Sequence, residues 1–315
     1  MCETPLRFGG KCIIIETKMI CAEKYMKKKR IWLIVSIIVA VIAAISIIFH
    51  VVTRGIAFVL WDGDDLNLDG YELVFYDEFD GDSLDTSVWE HRNVGPVQYH
   101  GDTLNEVKYK GYFNHPDQVS VSDGCLFIEG EYTTNEYGEG WYSDSIRLKD
   151  RYTYGYFEIK CIPNDSEYFW SAFWLQSDHS YEHDVSQGGT YGAEIDVFET
   201  YKEHTYKTKN FISSTIHCNG SDEYVDRVDS YRAAKTYIKD LRSEFTTFGM
   251  MWTEEEYVFY VNGVETGRTS FANGTSRVAE EVIVSLCAPD QIDLDEGTTT
   301  RFVVDYVKIY QLSGK

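Results

Sequence analysis

Proline is scarce. Five prolines in 315 residues leave long stretches whose every N–H can enter a sheet ladder. Cysteine is scarce too. Seven are present, with no C-x-x-C and no paired Cys/His spacing, which excludes a zinc ribbon or a thioredoxin-type redox motif. Positive charge is the third shortage: 29 Lys or Arg stand against 51 Asp or Glu, a net −22. The imbalance is uneven. Residues 1–54 hold nine Lys or Arg and three Asp or Glu, a net +6, whereas 55–315 hold 20 against 48, a net −28. So acidic a body repels phosphate backbones, which excludes nucleic acid as a partner. No internal repeat is present.

What is abundant is aromatic side chain, 15% of residues with 24 Tyr and seven Trp. Such a composition packs a core and is not disordered. The one long hydrophobic run is Ile31 to Val52, without Lys, Arg, Asp or Glu, directly after Met26-Lys27-Lys28-Lys29-Arg30. It is long enough to cross a bilayer as a helix, and longer than the apolar part of a cleaved signal. The expectation is a cytoplasmic tail over 1–30, a transmembrane signal anchor over 31–53 and an acidic linker over 54–70. The basic residues ahead of the run place the acidic body outside the cell membrane in single-pass form. Met26 is a second candidate start. Cys125, Cys161, Cys218 and Cys287 are read either as up to two disulfides or as small buried hydrophobes.

From Tyr71 onward, short alternating runs rich in Tyr, Phe, Val and Ile recur between turn residues, the pattern of antiparallel strands. Asn262-Gly263 between two such runs predicts a tight hairpin. One helix is expected near Ser230–Leu241. The whole reads as all-β, a sandwich of two antiparallel sheets.

One strand departs from the pattern. Gly192 to Thr200 reads GAEIDVFET. Alternation puts Glu194 and Asp196 on one face and Ile195 and Val197 on the other. Glu199 joins the acids only if a β-bulge adds a residue after Asp196. Three like charges on one strand face repel unless they are used. Two glutamates leaning over a cleft at about 5–5.5 Å are the arrangement of a nucleophile and an acid/base in retaining glycosidases. The plainer alternative is a solvated strand face.

Glu194-Ile195-Asp196-Val197-Phe198-Glu199 resembles the bulged E-x-D-x-x-E signature of glycoside hydrolase family 16, in its laminarinase-like form. The resemblance continues in order over 71–312, through LVFYDEFDGDSLDTSVWE, NEVKY, YGYFEIKCIPN, FWSAFWLQ, STIH and VDYVKIYQ. It implies a concanavalin-like β-jelly-roll enzyme hydrolysing a β-linked polysaccharide, most simply a β-1,3- or mixed-linked β-glucan. Glu194 would be the nucleophile, Glu199 the acid/base and Asp196 the residue between them. His217 would be their hydrogen-bond partner, or an ordinary core or surface histidine. Trp170 and Trp174 would line the cleft, Trp174 being equally readable as core. Asn105 and Glu106 would lie near the sugar subsites. No cofactor is required; Glu78 and Asp305 are either a structural calcium site or surface acids.

The departures matter as well. Ser145 stands where a substrate-contacting arginine often lies, with Arg147 one step along the same face. EVIVSLCAPD lacks the usual L-N-x-A-x-G-G. A transglycosylase, an agarase or carrageenase, and a non-catalytic carbohydrate-binding module are the rivals. The last needs the aromatics but not the glutamates.

Overall fold

The computed structural model describes residues 26–43, 45, 55–96, 98–99, 102–103, 111–166, 169–177, 189–201, 209–218, 229–271, 274–287 and 299–314. Two units are distinguished, 1–55 and 56–315. In the first, residues 26–43 are helical. This helix includes the four basic residues and only part of the apolar run. Among the described residues no helix is long and apolar enough to cross a membrane, and most of 44–54 lies outside them.

The second unit is all-β. Glu194–Thr200 pairs antiparallel with Trp170–Gln176 on one side and Phe211–Cys218 on the other. Beyond Trp170–Gln176 come Glu281–Cys287, then the second half of Gly138–Leu148, then Trp89–His91. Beyond Phe211–Cys218 comes Asp229–Ile238. The first half of Gly138–Leu148 enters a second sheet with Cys125–Asn135. That sheet continues through Thr299–Leu312, Gly155–Ile162, Thr246–Trp252, Tyr257–Val261 and Val264–Thr269.

The inner faces meet in one core. Phe198 of the carboxylate strand stacks on Phe248 of the second sheet at 4.1 Å and meets Phe302 edge-on. Ile195, Val197, Phe173, Ile216, Val284, Phe157 and Ile309 join the same cluster. Pairing is not wholly antiparallel, because Ile56–Val59 runs parallel to Asp229–Ile238 and Tyr112–Asn114 parallel to Gly138–Leu148. The Asn262-Gly263 hairpin forms as expected, both residues at positive φ, 47° and 75°, the pair of left-handed residues that a type I′ turn needs.

Two expectations need correction. Asp229–Ile238 is a strand and not a helix. Ala234, Thr236 and Ile238 are buried while Lys235 and Tyr237 are half-buried, a period of two. Strand neighbours on both sides override the helical leaning of its alanines. The acidic linker is not a free tether either. Ile56–Val59 pairs with that strand. Gly63 N–H donates to Asn262 O at 2.9 Å, Asp65 N–H to Gly263 O at 3.0 Å, and Asp65 Oδ2 accepts from Glu265 N–H at 3.0 Å. Leu66 and Leu68 pack on Tyr156, Met251, Val258 and Tyr260. The acids face water while the two leucines between them reach the sheet.

The four described cysteines form no disulfide with one another, and Cys161 and Cys218 are buried, in keeping with small hydrophobes. Asn164, which begins the N-x-S sequon Asn164-Asp165-Ser166, is fully buried. Its Nδ2 donates to Phe169 O at 2.8 Å and its Oδ1 accepts from Ser171 Oγ at 2.7 Å, so it presents no amide to a transferase.

A fragment beginning at Ile56 is therefore expected to unfold at a higher temperature than one beginning at Tyr71. The two partly buried leucines contribute about 2 kcal/mol or more, roughly 4–8 °C in a domain of this size. Equal midpoints by circular dichroism would show the segment to be a passive tether.

Candidate active site

The strand Glu194–Thr200 has its extra residue where the acid spacing demands it. Asp196 lies opposite Thr215 and Glu199 opposite Ser213, so Val197 and Phe198 together face Ser214. Ser214 Oγ donates to Val197 O at 2.8 Å, which holds a carbonyl that the bulge takes out of the ladder. Val197 and Phe198 are both buried in the core. Glu194, Asp196 and Glu199 emerge on the opposite face.

Each carboxylate has a distinct environment. Asp196 is 2% exposed, and a buried charge needs a partner. It has one in His217, whose Nε2 lies 3.0 Å from Asp196 Oδ2. The other ring nitrogen is 2.6 Å from Ser230 Oγ. Burial pushes the His217 pKa down, but the hydrogen bond to Asp196 and the charges of Asp196 and Glu194 outweigh it, leaving it above the usual 6.5. Glu194 accepts a 2.8 Å hydrogen bond from Gln176 Nε2. Glu199 is held well above the usual carboxyl range, first by burial, then by the charges of Asp196 and Glu194 and a hydrogen bond to Asp196. A hydrogen bond from Trp170 pulls the other way. These influences favour the protonated form of Glu199, with Glu194 on the same face as an acceptor.

Glu194, Asp196 and His217 bring ligand atoms within 4.8 Å of one another, the one such group among the described residues. Asp196 and His217 are hydrogen-bonded to each other, His217 also to Ser230, and Glu194 to Gln176.

The remaining expected residues fall in several places. Trp170, half-buried, lies beside Glu199. Trp174 shares its face, and its indole N–H donates to Ser285 Oγ at 3.0 Å. One side of its ring is covered by the Arg92 guanidinium, 5.1 Å from the centroid. Arg147 points along the same sheet but is tied to Glu90 at 2.7 Å and to Glu281. Asn105 and Glu106 lie outside the described residues. Asp305 is paired with Lys160 at 2.6 Å, and the exposed Glu78 accepts from Tyr76 Oη. A calcium there would have to displace Lys160.

Sequence reading did not single out Gln176, Arg92 or Ser285, and it took Cys287 only as a disulfide partner or a small hydrophobe. Gln176 had a signal: two residues past Trp174, it shares the tryptophan face. Cys287, opposite Trp170 in register, is pushed up to about 11 by burial, with Glu199 adding to the shift. Arg92, in a bend after Trp89–His91, had none.

Behind the site, Glu280 is fully buried. Its Oε1 accepts from Ala193 N–H at 3.2 Å, next to Glu194, and from Ser276 Oγ at 2.5 Å. Its Oε2 has no partner among the described residues. Burial pushes its pKa up to about 8, against those hydrogen bonds.

Two outcomes follow from these environments. Asp196→Asn removes a negative charge that helps Glu199 keep its proton. The alkaline limb of the pH profile for polysaccharide hydrolysis should move down by about one unit or more; an unmoved limb would mean that burial alone sets it. Glu280 takes up its proton more readily folded than unfolded, so its stabilisation is complete below about 4.5 and is lost as pH rises to about 8. The loss is at most about 1.4 kcal/mol per pH unit. Glu280→Gln should match the parent in urea unfolding at pH 4 and exceed it at pH 8. An equal difference at both pH values would contradict a neutral Glu280.

Comparison with known proteins places this geometry. Residues 74–312 match the family model described as beta-porphyranase A-D, GH16 domain. An endo-1,3-1,4-beta-glycanase, EglC, of Rhizobium meliloti (strain 1021) is 28% identical over 206 residues, 61% of this chain and 39% of that protein. A beta-glucanase of Rhodothermus marinus is 28% identical over 200 residues, 61% of this chain and 63% of that protein. The chain thus spans less than two thirds of the length of these relatives. The solved structure of LamAcat from Zobellia galactanivorans superposes with a TM-score of 0.58 at 20% identity, covering 76% of this chain and 97% of that one, a likeness of fold. With a family model matched over residues 74–312, most of the chain, the chain belongs to glycoside hydrolase family 16.

Proposed function

We propose that the domain is a retaining endo-glycosidase that hydrolyses a β-linked polysaccharide, a β-1,3-glucan or mixed-linked β-glucan. The observation that carries this reading is the bulge that brings Glu194, held by Gln176, and Glu199 to one strand face, where burial and neighbouring acids raise the Glu199 pKa. Glu194 attacks the anomeric carbon as Glu199 delivers its proton to the departing glycosidic oxygen. A glycosyl ester on Glu194 results. Glu199, now a carboxylate, takes a proton from water, whose oxygen displaces Glu194 and restores both groups. Asp196, braced by His217, keeps negative charge between them and so favours the proton on Glu199. The names of the relatives, glycanase and glucanase, favour a glucan. The porphyranase description of the family model keeps a galactan as the second reading.

An outward-facing, membrane-anchored placement goes with this function. Its support is the uncharged run from Ile31 to Val52 behind four basic residues, helical over 26–43. Carbonate extraction of membranes from expressing cells should leave the full chain in the pellet. Release into the soluble fraction would sink the anchor.

The activity is tested by incubating the full chain with laminarin, lichenan, agarose, porphyran and carrageenan and sizing the products. Internal cleavage of laminarin or lichenan is expected, and Glu194→Gln should lose at least about 10³-fold in rate, because the nucleophile is gone. Cleavage of porphyran alone would move the substrate to a galactan. Binding without cleavage, unaltered in Glu194→Gln, would leave a carbohydrate-binding module. Products longer than the substrate would identify a transglycosylase.

A further inference from the structure

Arg92 is fixed at its backbone before its side chain reaches the site. Its N–H donates to Ser145 O at 2.7 Å, and Asn114 Nδ2 donates to its carbonyl at 3.0 Å. The guanidinium, 18% exposed, lies on Trp174. It donates from Nε to Glu281 Oε2 at 3.3 Å and from a terminal nitrogen to Gln176 Oε1 at 2.6 Å. Gln176 is buried and sits in register between Glu194 and Glu281.

The orientation of that amide is therefore decided. A guanidinium has only donors, so the carbonyl oxygen of Gln176 must face Arg92. The amide nitrogen must then face Glu194, and it donates to Glu194 Oε2 at 2.8 Å. Other charged and titratable groups also face Glu194. Asp196 and Glu199 share its strand, His217 faces it from Phe211–Cys218, and Glu281 lies across Trp170–Gln176. Glu281 is answered by Arg147 and Arg151 as well as by Arg92. Arg92 therefore has positive charge to spare toward the nucleophile.

We propose that Arg92 and Gln176 are positioning residues for Glu194: Arg92 sets the amide of Gln176, and that amide keeps the Glu194 carboxylate ionised and aimed. The cation comes from the bend after Trp89–His91, whereas the strand position at which the family resemblance leads one to expect an arginine holds Ser145. The inference rests on the reading of Glu194 as nucleophile.

The test uses the full 315-residue chain with Arg92→Leu, Arg92→Lys, Gln176→Leu and the double variant Arg92→Leu/Gln176→Leu. Thermal unfolding first establishes which of them fold. On laminarin, Arg92→Leu and Gln176→Leu should each lower kcat roughly 10- to 100-fold, the loss of one hydrogen bond to a charged group, with KM within about twofold. The acidic limb of the pH profile should move up and the alkaline limb stay in place. The double variant should be little worse than the weaker single, because one relay is broken twice. Arg92→Lys, which keeps the charge without the fork, should shift the acidic limb less. Should Arg92→Leu fail to fold, Gln176→Leu and Arg92→Lys carry the same comparison. Losses that multiply in the double variant, or a kcat loss with both limbs unmoved, would overturn the relay. If laminarin is not cut, the substrate reading fails separately. Carboxyl-¹³C glutamate NMR then decides, with the Glu194 signal assigned by its absence in Glu194→Gln. A higher Glu194 titration midpoint in Arg92→Leu supports the relay, and an unchanged one refutes it.

Discussion

Val197 and Phe198 both face the core, and a pleated strand cannot turn two successive side chains to one side unless an extra residue is inserted. The packing of these two residues therefore has a consequence on the opposite face. Phe198 stacks on Phe248 across the sheets, and Glu199 is carried round to join Glu194 and Asp196. Without the inserted residue, either the aromatic stack or the third acid would be on the wrong side. Core packing and site geometry are thus one constraint, enforced by the hydrogen bond from Ser214 to the displaced carbonyl.

The crowding of carboxylates that follows has to be resolved by protons and partners. Glu194, Asp196, Glu199 and Glu281 occupy neighbouring positions of one sheet. Two nitrogen bases meet them from either side, the His217 imidazole at Asp196 and the Arg92 guanidinium near Glu194. Glu199, half-buried and bordered by negative charge, faces neither. Burial first, and then that negative charge, favour its protonated form, which suits an acid. Glu280, behind the strand, is another buried carboxyl that holds its proton, and its hydrogen bond to Ala193 sets the backbone one residue before Glu194.

Much of this was legible in the sequence because it depends on period-two alternation. The carboxylate strand, its bulge and the Asn262-Gly263 hairpin follow from spacing alone. The strand at Asp229–Ile238 was misread because two adjacent alanines dominate a window in which only Ala234, Thr236 and Ile238 face inward. The acidic linker expected over 54–70 was misread because charge outweighed two leucines whose partners are about 90–190 residues away. Gln176 was legible in principle, lying on the tryptophan face. Arg92 was not. Its role comes from a bend placed by pairing with Gly138–Leu148, and no local pattern marks it. The expected sugar-contacting pair Asn105 and Glu106 lies outside the described residues.

The central claim is that two carboxyl groups on one bulged strand act in succession, one as nucleophile and one as acid and base. That claim fixes the stereochemistry of the first product, because two displacements at one carbon restore its configuration. The measurement is proton NMR of the reducing end released in the first minutes of cleavage, before mutarotation. The β-anomer appearing first is the predicted result. The α-anomer appearing first would mean that water attacks directly, and would contradict the role assigned to Glu194.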